Sequence, residues 1–249
     1  MLESLRRSGI PAKLIGGKIH AMVPAYRIDI IHPVDLVEEI ALGYGVFRIE
    51  PTLPSSKNVG KYNPIQVGLS KVREVMVGLG MMESMNFSLI GADLLKNAGF
   101  DVTIMVDKSK SAEHEVLRPS LIPSILLTLS RNIHEEYPQK IFEIGKAFGK
   151  QGDSIEEEYR VAGAVSHSGA KFTEIHSYMM SLLKQAFSAD FATRATKHAP
   201  FIEGRTAEVV SDGMSRGVLG EVHPAVLQGF GMRNPVAAFE LKLSELIAK

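Results

Sequence analysis

The chain has 249 residues, 28 basic and 28 acidic side chains, no cysteine and an apolar fraction of 45%. That length fits one large domain, or one large and one small, and the apolar content supplies a buried core, which excludes disorder of the whole chain. Zero net charge excludes a generic nucleic-acid coat, and the missing cysteines exclude disulfides, thiolate metal sites and cysteine nucleophiles. No apolar run approaches the ~18 residues of a membrane span. Residues 1–14 carry basic side chains but no apolar signal core, so the expected compartment is the cytoplasm.

In chain order, Leu2, Leu5 and Ile10 mark the tail of a helix closed by Ser8-Gly9. Residues 12–15 and 18–24 alternate around Gly16-Gly17, the pattern of a hairpin. Tyr26, Ile28 and Ile30 alternate with Arg27 and Asp29, which predicts a half-buried strand. Pro33 precedes a helix over 34–44, ended by Gly43 and Gly45. This helix–hairpin–helix unit starts abruptly, as a fragment, or a naturally short form, of something longer would. Residues 51–64 are rich in Pro, Ser, Gly and Asn, with no apolar period. The expected division is 1–55 for a partial small module, 56–64 for a linker and 65–249 for a second domain.

The second domain opens with an amphipathic helix over 65–79, with Val67, Val72, Val75, Met76 and Leu79 apolar and Gly80 as its stop. Strands are predicted over 85–90 and 102–106, on either side of a short helix at 92–97. A helix rich in Leu and Ile covers 121–131. Strands at 140–144 and 160–165 precede a longer helix over 171–187. Residues 207–210 and 215–221 pair across Ser211-Asp212-Gly213. A short helix at 224–229 and a strand at 236–243 follow. Hairpins mixed with helices predict an α+β fold around a largely antiparallel sheet.

Four carboxylates crowd residues 29–39. Asp35, Glu38 and Glu39 stand at i, i+3 and i+4 of one helix, hence on one face. Asp29 lies just before that helix. Three readings of the group stand side by side. Asp35 at the N-cap with Glu38 at N3 makes a capping box, which the helix dipole also favours, but this covers only two of the four. All four could ligate a hard cation, since Mg²⁺ takes oxygen ligands in a near-octahedral shell. Alternatively Arg27, or a cation from a partner chain, neutralises them.

The run VPAYRIDIIHPVDLVEEIALGYG, residues 23–45, closely resembles the PAYRxDIxHxxDLxEExAxxYGY segment of the phenylalanine–tRNA ligase β-subunit family. Leu117-Arg118-Pro119-Ser120-Leu121-Ile122-Pro123 with Arg131-Asn132, then Ile141-Phe142-Glu143-Ile144-Gly145-Lys146-Ala147-Phe148, resemble further segments of that family. Gly220-Glu221-Val222-His223-Pro224 and Ala238-Phe239-Glu240-Leu241 continue the resemblance in the family's order, so that it spans residues 20–245. The resemblance implies a class II aminoacyl-tRNA synthetase-like antiparallel sheet with flanking helices, preceded by a small α/β winged-helix-like module. It implies Mg²⁺ ligands at Asp29, Asp35, Glu38 and Glu39, which match the family's spacing. It implies an α subunit as partner in an α₂β₂ heterotetramer, tRNA(Phe) as a further partner, and ATP bound by the α subunit; no membrane or DNA is expected. The pattern looks like a C-terminal portion of the archaeal or eukaryotic β subunit, without the module that removes misattached tyrosine.

Class II synthetases carry two arginine motifs that stabilise charge growing in the transition state. Phe47-Arg48-Ile49-Glu50 spells the first, but beside the proline-rich linker. Gly229-Phe230-Gly231-Met232-Arg233 mimics the second, yet Asn234-Pro235 follows, and proline breaks the helix that motif opens. The strand positions Phe142-Glu143-Ile144 and Phe239-Glu240-Leu241 carry no arginine. No catalytic or cofactor-binding residue is therefore assigned. Arg118 and Arg131 read either as interface groups or as surface charges. His167, His176, His198 and His223 lack metal spacing and read as surface or core histidines. Ser166-His167-Ser168-Gly169-Ala170 lacks the Lys-Ser/Thr of a phosphate loop. Two other functions compete: a freestanding synthetase-like paralogue with its own ligand site, and a nucleic-acid module in the first 50 residues using Arg6, Arg7, Lys13 and Lys18. The acidic helix at 35–39 argues against the second.

Overall fold

The computed structural model describes residues 1–55, 58–187 and 191–247, and the chain divides into two compact units, Met1–Gly60 and Lys61–Lys249. Ser56 and Lys57 of the expected linker lie outside the described residues.

The first unit holds α1 (Leu2–Arg7), β1 (Ala12–Ile15), β2 (Lys18–Ala21), α2 (Pro33–Tyr44) and a 3₁₀ turn at Val46–Arg48. β1 and β2 pair antiparallel from Ala12↔Ala21 to Ile15↔Lys18. Their two-residue turn needs positive φ twice, and Gly16 (56°) and Gly17 (78°) supply it. Gly43 does not end α2. It sits inside the helix where α1 packs, and a Cβ there would stand 2.7 Å from that of Ser4. The expected strand through Tyr26–Ile30 is a pair of turns, closed by Arg27 N–H to Pro24 O and Ile30 N–H to Arg27 O. Alternation alone does not make a strand. With no neighbour to complete a ladder, the backbone bonds to itself, and Tyr26 and Ile28 are left exposed.

The second unit runs α3 (Pro64–Gly78), β3 (Met82–Glu83), β4 (Leu89–Ile90), α4 (Ala92–Asn97), β5 (Val116–Leu117), α5 (Ile122–Arg131), β6 (Gln139–Gln151), β7 (Ser154–Ser166), α6 (Phe172–Ala186), β8 (Ala192–Ala195), β9 (Phe201–Ser211), β10 (Met214–Val222), α7 (Pro224–Gly229), β11 (Val236–Lys242) and α8 (Ser244–Ile247). Seven strands form one sheet in the order β3-β6-β7-β11-β10-β9-β8. All its pairings are antiparallel except β3 with β6. The sheet is therefore mixed, within the α+β class expected.

Side chains alternate across a strand, and β11 shows it best. Ala237, Phe239 and Leu241 pack under α3, α6 and α8 with Leu69, Val72, Met76, Ile175, Met179 and Leu246. Val236 and Ala238 face the other way, among Leu121, Ile125, Leu129 and Leu227 of the α5–α7 layer. A strand covered on both faces reads as a continuous apolar run, and the exception within this one is Glu240.

Several predicted strands differ. Of the strand expected over 85–90 only Leu89–Ile90 forms, because Asn86 turns its backbone N–H and its side chain to Glu143 instead of to a ladder. The strand expected over 102–106 reduces to a single bridge, Met105↔Val116. β6 and β7 run far beyond 140–144 and 160–165, as a hairpin that pairs down to Gln151↔Ser154. Its outer half leaves the core, so Lys and Glu replace the apolar alternation that marks a half-buried strand. β8 escaped notice for the same reason, since all four of its residues are exposed. Among the described residues no helix is long and apolar enough to cross a membrane.

Candidate functional site

On the α5 face of the sheet, Glu143 of β6 and Glu240 of β11 both lie opposite Ala162 of β7. Two strand spacings separate them, about 10 Å. Both are buried, at 1% and 4% exposure. A carboxylate in such a place needs a cation and hydrogen bonds, and each has them. Arg118, itself 2% exposed, puts Nη1 2.7 Å from Glu143 Oε1. Its Nη1 also reaches Ser124 Oγ at 3.3 Å, and its Nε donates to Lys146 O at 3.1 Å. Asn86 Nδ2 donates to Glu143 Oε2 at 2.8 Å. Gly145 makes room for this guanidinium, since any Cβ there would overlap Arg118 Nη2.

Glu240 is served by Arg160 Nη1 at 2.9 Å, Ser120 Oγ at 3.1 Å and the backbone N–H of Leu121. Arg160 also donates to Pro119 O at 3.0 Å and to Glu158. Burial works against the Arg160 charge, but Glu240 and Glu158 more than offset it. Residues 118–121 thus form a strap across the sheet, fixed at one end by Glu143 and at the other by Arg160 and Glu240. Leu121 and Ile122 carry free amides at the start of α5, and Glu240 and Ser120 take them. This corrects the two readings of Arg118: it is a core ion-pair partner. Arg131 is exposed at the end of α5.

Sequence reasoning noticed that positions 143 and 240 lack arginine, but missed that glutamates there are buried and paired. The available signal was a lone Glu inside each apolar run, FEI and FEL. The two motif mimics lie elsewhere. Arg48 sits on the 3₁₀ turn of the first unit, and Arg233 on the loop between α7 and β11. The four histidines have structural places. His167 meets Glu174 at 2.8 Å, His176 stacks on Phe172, His198 lies against Phe100 and Phe201, and His223 caps α7 through Nδ1.

The acidic group of the first unit is arranged otherwise than the spacing suggested. The N-cap of α2 is His32, and Asp35 is its N3 residue. Asp35 Oδ2 accepts the N–H groups of His32 at 2.7 Å and Ile31 at 2.8 Å, which hold its carboxyl below the usual range. Asp29 is bound twice by Arg27, with Nη2 2.7 Å from Oδ2 and Nε 3.0 Å from Oδ1, and this pairing lowers its carboxyl. Glu39 is lowered by a bond from Ser8 and then by Arg27. Glu38 is exposed, with no hydrogen bond or ion pair to any described residue. The fold thus joins Asp29 to Glu39 through Arg27, while Asp35 is held by backbone amides within range of the Asp29 charge and Glu38 stands exposed. Among the described residues no three His, Asp or Glu side chains are grouped so as to hold a metal.

Comparison with known proteins gives two family matches. Residues 49–243 match the phenylalanyl tRNA synthetase beta chain CLM domain, and residues 1–46 match the tRNA synthetase B5 domain. Curated relatives include phenylalanine–tRNA ligase beta subunits of Methanococcus maripaludis strain C5, 37% identical over 98% of this chain and 46% of the relative, and of Archaeoglobus fulgidus, 36% identical over 97% and 44%. The Thermofilum pendens subunit is 35% identical over 100% of this chain and 45% of its own length. The chain therefore spans less than half the length of these relatives. Among solved structures, the pyrrolysyl tRNA synthetase PylSc of Desulfitobacterium hafniense superposes with a TM-score of 0.60 at 13% identity, covering 74% of this chain and 67% of that one. At that identity the likeness concerns the fold.

Proposed function

Because the chain belongs to the phenylalanyl-tRNA synthetase β-chain family, we propose that it is a non-catalytic, scaffolding part of the complex that joins phenylalanine to tRNA(Phe) with ATP. The observation that carries this reading is the state of positions 143 and 240. A synthetase sheet face that stabilises a growing negative charge needs free cations aimed at it. Here the two positions hold carboxylates, and the neighbouring cations Arg118 and Arg160 are already bound to them. The strap 118–121 lies across the same face. In this reading ATP and its Mg²⁺ are bound by the α subunit, and the β chain contributes assembly and tRNA positioning.

The sheet edge supports a role in assembly. β3 is an edge strand, and Met82, Met85 and Phe87 beside it are 72%, 94% and 75% exposed. An open groove of about 770 Å³ runs along the same edge, lined by Met82, Ser84, Asn132, Gln139 and Ile141. A free strand edge flanked by apolar side chains invites another chain, and we assign it to the α subunit in an α₂β₂ assembly. The first unit is read as the winged-helix-like module of the family. Its acidic α2 suits contact with protein better than entry into a nucleic-acid groove. The direct test is co-expression with an α subunit of an archaeal relative. A stable complex, with ATP–pyrophosphate exchange only when both chains are present, is expected. Exchange by the isolated chain with any amino acid would instead make it a freestanding catalyst.

A further inference from the structure

We infer that Arg27, and no divalent cation, is the resident counter-ion of the acidic group, and that the first unit closes around this guanidinium. The family resemblance implies Mg²⁺ at Asp29, Asp35, Glu38 and Glu39. Mg²⁺ requires its oxygens at ~2.0–2.1 Å in near-octahedral array. The residues present do not fit that requirement. Asp35 spends Oδ2 on two backbone amides, and Glu38 points to solvent. The remaining two, Asp29 and Glu39, converge on Arg27.

The geometry is that of a planar fork used on several sides. Nε and Nη2 take Asp29 in a bidentate pair, Nη2 also takes Glu39, and Nη1 reaches Ser8 O at 3.4 Å. Three segments therefore meet on one side chain: the end of α1 at Ser8, the turn at Asp29 and the second turn of α2 at Glu39. Arg27 and Glu39 are largely covered, at 20% and 18% side-chain exposure, whereas Asp29 is 60% exposed. A cation shared by Asp29 and Glu39 would take the place of the guanidinium, and two positive charges at such range repel. The first unit buries little else, with Leu5 and Ile10 its fully enclosed apolar side chains. A polar tie between its segments consequently matters more there than it would over a large core.

The test uses the whole chain, Mn²⁺ as the metal probe, and amide hydrogen exchange across residues 5–44. The wild-type chain should leave the Mn²⁺ resonance that of the free ion up to about 1 mM, well above the range of a built carboxylate site. Arg27→Met should raise exchange at least tenfold through residues 5–44. It should also strengthen Mn²⁺ uptake, because the carboxylates lose their counter-ion. Glu39→Gln should raise exchange more than Asp29→Asn, in line with their burial, with no change in Mn²⁺ behaviour. Should Arg27→Met fail to fold, Glu39→Gln and Arg27→Lys carry the same comparison. Uptake of one Mn²⁺ at micromolar concentration by the wild type, lost in Asp29→Asn, would overturn the inference. So would unchanged exchange in Arg27→Met and Glu39→Gln alike.

Discussion

Two acidic arrangements divide this molecule. Under α5, Glu143 and Glu240 are almost wholly enclosed, each with an arginine and further donors. In the first unit, Asp29 and Glu38 stand at the surface, and a single guanidinium serves two of the four carboxylates. The crowded one drew attention in the sequence, and the buried one governs the fold. A surface ion pair contributes little because water screens both charges and both side chains are restrained. A buried pair is no larger a gain in itself, but removing either partner leaves a charge that the protein cannot solvate. Burial thus makes the Arg118–Glu143 pair obligatory.

The sharpest way to break that contrast is Arg118→Met. Glu143 keeps its burial and loses its cation, and the expected loss is about 3–5 kcal/mol in urea unfolding of the second unit. The double variant Arg118→Met, Glu143→Gln should recover most of that loss. If Arg118→Met costs the second unit no more than Arg27→Met costs the first in urea unfolding, burial is not the deciding variable. Gly145→Ala follows in size. Its methyl would enter the space of Arg118 Nη2, and overpacking of that kind costs about 1–3 kcal/mol. Residues in contact couple, so the glycine change should be far milder in the Arg118→Met background. Equal effects in both backgrounds would mean that the guanidinium is not what Gly145 accommodates.

On the surface side of the comparison, Asp35→Ala removes the acceptor of two N–H groups at the start of α2. The amides of Ile31 and His32 should exchange faster, while the unfolding midpoint of the second unit stays put. Fast exchange confined to those amides fits an end cap. Exchange spreading to residues 8 and 27 would make Asp35 part of the Arg27 tie.

The order of the main helices and of the central strands was legible because α5 and α6 keep a helical apolar period, while β11 and the inner half of β7 are continuous apolar runs. What period 2 or 3.6 cannot convey is which strand finds a neighbour. Residues 26–30 alternate as a half-buried strand does, yet have no ladder to join, while β8 joins one with no apolar residue facing a core. The carboxylates of the first unit were visible from spacing, and Arg27 as their neutraliser was one of three readings. The Arg118–Glu143 pair joins residues 25 apart, and Arg160–Glu240 residues 80 apart. Separations of that size are set by sheet register and leave no local trace beyond a Glu in an apolar run.

The smallest expected effect concerns a carboxylate intermediate between the two classes. Glu221 on β10 accepts the Phe172 N–H at the start of α6 through Oε1 at 2.9 Å and meets Arg205 through Oε2 at 2.6 Å. Partial burial pushes its carboxyl up, but the Phe172 N–H and the Arg205 guanidinium outweigh this and hold it below the ordinary value. A carboxyl lowered on folding releases its proton more readily in the folded chain. Its contribution is therefore full above the unfolded value, about pH 4.3, and fades as pH falls through the folded one. Glu221→Gln keeps an acceptor for Phe172 and removes the charge. Urea unfolding should show the variant slightly weaker than wild type at neutral pH, with the gap closing below about pH 4. Arg205 is 62% exposed, so added salt should shrink the gap at neutral pH too. A gap that ignores both pH and salt would put the loss in packing at the α6 end, and would place Glu221 with the buried glutamates instead of the surface ones.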